Sequence, residues 1–114
     1  MYLQEFKKKA DIEENYKIKL EKGVKILLAW YGYGSYKGRS FVLFEKGGKL
    51  YEVNASHCSC NGLEGQWEPE LTTVKALTHV LEEGDKFYDY YDGHDEAEKS
   101  LKRVLNGLKR KGFK

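Results

Sequence analysis

The stretch ASHCSCNGLEGQWEPE, residues 55–70, divides the chain in two. It holds both cysteines (Cys58 and Cys60), His57, one of two tryptophans (Trp67) and the only proline, Pro69. Upstream, the pattern is a helix feeding a small antiparallel sheet. Downstream, the apolar spacing is helical. The expected fold is therefore α+β in one domain, residues 1–114: an N-terminal helix, a three-stranded antiparallel sheet, a metal knuckle and two C-terminal helices.

Working back from the stretch, KLYEVN (49–54) and SFVLFE (40–45) are strands joined at Lys46-Gly47-Gly48. Glycine there supplies the positive φ that a tight hairpin requires. Leu50, Glu52 and Asn54 alternate with Tyr51 and Val53, so this strand shows water one polar face. VKILLAWYGY (24–33) is β-branched and aromatic, the composition of a strand covered on both faces. The GYGSYKG run at 32–38 is read as a loop and not as a phosphate cradle. Lys37 stands where the third glycine of G-x-G-x-x-G would fall, and a strand follows instead of a helix. Residues 2–21 read as a helix or two short ones, with Leu3, Phe6, Ala10, Ile12, Tyr16 and Leu20 near helical spacing and Gly23 as the stop.

Beyond the stretch, Thr72 or Thr73 caps a helix to about Glu83, with Gly84 as its end. DKFYDYYD (85–92) packs four aromatics among three aspartates. Asp95 then caps a helix with Ala97, Leu101, Val104, Leu105 and Leu108 on one face.

Cysteines one residue apart cannot bridge without strain, and such pairs in a reducing compartment more often hold a metal. Zinc takes thiolate and imidazole ligands in a tetrahedron. Cys58, Cys60, His57 and His79 are the candidate ligands, with Glu64, Glu68 and His94 in reserve. Two arguments weigh against the histidines. His79 lies about 150° from the centre of its helix's apolar face, and in a regular strand His57 points away from both cysteines, an objection that a knuckle removes. The zinc is expected to be structural, because no glutamate is spaced to activate a metal-bound water. The adjacency of His57 and Cys58 does not make a nucleophile pair, since sequence neighbours rarely point at each other. An enzyme is not expected, although a cysteine-dependent one stays a third possibility.

Net charge is +2, but it is segregated: residues 1–61 carry +4, residues 62–98 carry −9 and residues 99–114 carry +7. Aromatics interleaved with acids suit a protein-binding patch, so Asp85, Tyr88, Asp89, Tyr90, Tyr91 and Asp92 are the candidate partner-binding residues. The basic tail is read as a solvated helix end, with direct nucleic-acid binding as the alternative function. No apolar run approaches the length of a membrane span, and the N-terminus lacks the apolar core of a signal peptide, so a cytoplasmic protein without membrane contact is expected.

SHCSCNGLEGQWEPE, with ILLAWYGYGSYKG upstream and TTVKAL downstream, resembles a family of small phage and prophage proteins over about residues 24–81. The motif maps onto His57, Cys58, Cys60 and Trp67. At least one zinc-containing anti-CRISPR inhibitor of a type II RNA-guided nuclease is similar. The resemblance implies a phage-encoded inhibitor that binds a bacterial defence nuclease in the host cytoplasm, its fold supported by zinc.

Overall fold

A computed structural model describes residues 1–58, 62–83, 87 and 91–114. The expected three-stranded antiparallel sheet is corrected to a five-stranded mixed sheet in the order β1-β2-β3-β4-β5, with three helices. Its centre is the predicted meander, lengthened: β2 (Lys25–Gly34), β3 (Lys37–Lys46) and β4 (Lys49–Cys58), all antiparallel. Gly47 and Gly48 both take positive φ at the β3–β4 turn, as expected. The predicted 32–38 loop shrinks to a two-residue turn at Ser35 and Tyr36, because Gly32↔Arg39, Tyr33↔Gly38 and Gly34↔Lys37 remain paired.

Each outer strand is only three residues long. β1 (Tyr2–Gln4) runs parallel to β2, and β5 (Glu70–Thr72) runs antiparallel to β4. β1 overturns the first half of the predicted N-terminal helix. Leu3 and Phe6, spaced as if on one helical face, enter two different cores. The helix α1 is confined to Lys9–Tyr16. The Asp11 carboxylate accepts from the Lys7 and Lys8 amides and secures its start, and Lys17 ends it at φ 57°. The later helices are present as α2 (Val74–Glu83) and α3 (His94–Arg110). However, α3 starts after Gly93 with Asp95 inside its first turn and not at its cap, and Gly84, the expected end of α2, lies outside the described residues. The Thr73 hydroxyl accepts from the Ala76 amide at the start of α2.

β2 alternates as a strand covered on both faces must. Leu28 and Trp30 join Phe41, Leu43 and Leu50 under α2 and α3. Ala29 and Tyr31 join Val42, Phe44, Val53 and Ala55 under α1 and the 62–69 segment, which contributes Leu63. A register shift between Ile26 and Leu28 turns Leu27 towards the α2/α3 side. Within the second core the Tyr16 hydroxyl donates to Ser40 Oγ at 2.8 Å, pairing the one polar side chain that β3 buries there. Among the described residues, no helix is long and apolar enough to cross a membrane.

Candidate functional site

The sheet ends in a hairpin tip, where β2 turns into β3 beside the last residues of β4. Lys37 pairs with Cys58, and Gly38 lies between Tyr33 on one side and His57 on the other. Tyr31, Tyr33 and His57 share one face by strand alternation. Their polar atoms form a chain: Tyr33 Oη lies 2.9 Å from Tyr31 Oη, which lies 2.6 Å from His57 Nε2. His57 Nδ1 is 2.8 Å from the Cys58 carbonyl oxygen. That oxygen only accepts, so Nδ1 carries a proton, and in the neutral ring Nε2 accepts from the Tyr31 phenol. Burial, reinforced by the Tyr33 hydroxyl, raises the Tyr31 phenol well above its ordinary value and keeps it a donor. Gly38 makes the arrangement possible, because any Cβ there would occupy the space of the imidazole.

Residues 91–93, which end the acidic, aromatic stretch, reach the same tip from the other edge of β2. The Asp92 amide donates to the Tyr33 carbonyl at 2.9 Å, beyond the point where β1 stops. The Trp30 indole donates to the Asp92 carbonyl at 3.0 Å. Gly32 leaves room for that carbonyl, and the Gln4 side chain lies over Gly93. Tyr91 packs edge-on against Trp30, with ring centroids 6.3 Å apart. Asp92 is thereby fixed with its carboxylate exposed, while Tyr91 is half buried. Among the described large apolar side chains, Tyr36 stands out at 83% exposed, and Tyr33 is 41% exposed.

The predicted site residues divide accordingly. Asp92 and Tyr91 are brought to the tip, whereas Asp85, Tyr88, Asp89 and Tyr90 lie outside the described residues, as does Cys60. Cys58 closes β4, exposed and in no disulfide. The strand stays regular through Cys58, so His57 and Cys58 project from opposite faces. Both His57 nitrogens are engaged, and a metal bond from either would displace one of those partners. His79 is not brought to Cys58. It lies exposed on α2 near Glu83, in a groove with Lys109, Phe113 and Lys114. That helix starts beside Leu50, at the far end of β4. Among the described residues, no three His, Cys, Asp or Glu side chains converge in a way that could hold a metal ion. A thiolate from Cys58 is the part of the zinc donor set that this geometry fits.

Trp67 stacks on Phe44 at 5.8 Å and meets Tyr16 edge-on at 5.0 Å. Sequence reasoning missed Trp30, Gly32 and Gly38 as parts of the site. Their partners lie far along the chain or across strands, and only the glycines themselves hinted at a close approach. No family model, curated protein or solved structure matches the chain.

Proposed function

We propose that the protein acts by binding another protein through the hairpin tip, with Tyr33 and Tyr36 as anchors and the exposed Asp92 next to Tyr33. The exposure of Tyr36 in the turn that follows Tyr33, whose carbonyl holds the Asp92 amide, carries this reading. Tyrosine brings large contact area with few rotors to freeze, and it dominates such interfaces for that reason. Asp92 would pair with a basic group of the partner. The phage-family resemblance supplies its identity: a bacterial RNA-guided nuclease, inhibited in the host cytoplasm. Titrating a type II nuclease with the protein, while following target cleavage, tests this. The Tyr33→Ala/Tyr36→Ala variant should bind at least about tenfold more weakly, the equivalent of 1.4 kcal/mol. Asp92→Lys should weaken binding further. Unchanged affinity in both variants would remove the tip as the contact surface.

A structural zinc held by Cys58 and Cys60 belongs to the same proposal, supported by an exposed thiol at the end of a regular strand. Elemental analysis should find one zinc per chain, lost in Cys58→Ser/Cys60→Ser together with thermal stability. A metal-free native protein with the same melting temperature as the variant would exclude it.

A further inference from the structure

We propose that the exposed face of α3 is a docking surface for the phosphate backbone of nucleic acid. This goes beyond the protein-binding reading and does not depend on the hairpin tip. α3 buries Ala97, Leu101, Leu105 and Leu108. At 100° per residue, Lys99, Arg103, Asn106 and Arg110 fall within about a 60° arc on the opposite side. All four are exposed. Lys102 and Lys109 flank this arc and line the groove shared with Thr78 and Glu82 of α2.

The stripe is not an ordinary solvated helix face. Such faces alternate in sign so that i,i+4 pairs form. Here the last sixteen residues carry seven cations and no anion. Lys102 meets Glu98 at 3.5 Å, but Lys99, Arg103, Lys109 and Arg110 are ion-paired with no carboxylate among the described residues. The helix dipole accounts for Lys109 and Arg110 in the last turn. It does not account for Lys99 and Arg103, which lie in the second and third turns of a seventeen-residue helix.

The geometry suits a phosphate chain. Lys99 to Arg110 covers about 16 Å of helix axis, the length of roughly five base pairs. Arginine forks grip phosphate oxygens in two places, lysines act as point charges, and Asn106 offers an amide to phosphate or sugar. Asp95 and Glu96 in the first turn repel the same backbone, so the footprint begins after the first turn. No group here is aimed to read base edges, and binding is independent of sequence.

The test is fluorescence anisotropy with the full chain and labelled duplex DNA, single-stranded DNA and duplex RNA between 50 and 200 mM salt. Saturable binding is expected, with a log–log salt slope for duplex DNA of about −3 to −5, from three to five phosphate contacts. The charge-reversed Lys99→Glu/Arg103→Glu/Arg110→Glu variant changes only exposed side chains. It should bind more than tenfold more weakly with an unchanged circular dichroism spectrum. Tyr36→Ala should bind nucleic acid as the parent does, which separates this surface from the tip. Absence of saturable binding to every probe at 50 mM salt overturns the proposal, as does retained affinity in the reversed variant. Binding to anionic phosphatidylserine vesicles but to none of the nucleic acids overturns it in favour of a membrane surface.

Discussion

Trp30→Ala is expected to destabilise the protein by about 3–5 kcal/mol, a large part of the roughly 5–15 kcal/mol that holds a typical domain together. Trp30 is fully buried at the centre of the sheet's α2/α3 face, one of the largest side chains with no exposure. Its ring meets Phe87 edge-on at 5.1 Å and Tyr91 at 6.3 Å. Truncation leaves a cavity bounded by β2, β3 and the helices, which can collapse only in part. It also removes the donor to the Asp92 carbonyl, so the 91–93 turn loses a hydrogen bond to β2. Trp30→Phe separates the two effects. It keeps a large ring and should cost about 1–2 kcal/mol, near the value of one lost hydrogen bond plus a small void. Urea denaturation with a constant m-value measures both. A loss below about 1 kcal/mol for the alanine variant would contradict the packing described.

Gly32→Val should be nearly as damaging, and its effect should reach function. A Cβ at Gly32 would overlap the Asp92 carbonyl oxygen and the Trp30 indole. One of these is backbone and the other a wedged ring, so neither can swing aside as a flexible side-chain end would. The expected cost is about 1–3 kcal/mol, with the 91–93 turn driven off the edge of β2. At temperatures where the variant remains folded, binding through the tip should fall, because Asp92 no longer stands beside Tyr33. Gly62→Ala is the control, since a Cβ there meets nothing within 4 Å and its stability should stay within about 0.5 kcal/mol of the parent. Equal stability and equal partner affinity in Gly32→Val and Gly62→Ala would show that the turn is not held as described.

The elements legible in the sequence are those long enough to repeat a pattern. Phe41 to Phe44 and Leu50 to Val53 alternate with period two, and glycines mark the turn between them. Ala97, Leu101, Leu105 and Leu108 repeat at helical spacing, with buried positions to match. β1 and β5 carry no such signal. Three residues cannot display a period, and each exists because β2 or β4 offers an unpaired edge. Leu3, Phe6 and Ile12 imitated a helical face only because two cores on opposite sides of the sheet draw apolar residues from the same short stretch.

The site divides in the same way. Of the residues gathered at the tip, the sequence reading singled out His57, Tyr91 and Asp92, whereas Tyr33 and Tyr36 lay in a run read only as a loop. Local sequence by itself determined the central meander, the two later helices and the charge segregation, because hydrophobic period and turn chemistry act over a few residues. Only the tertiary structure decided that His57 crosses Gly38 to reach Tyr31, and that Trp30 holds the Asp92 carbonyl 62 positions further on. Helical spacing aligns Lys99, Arg103 and Arg110, and only the tertiary structure decided that this face stays open. Those placements depend on which strand edges and helix faces remain unpaired once the cores are filled. That is a property of the packed molecule, and no segment of the chain carries it alone.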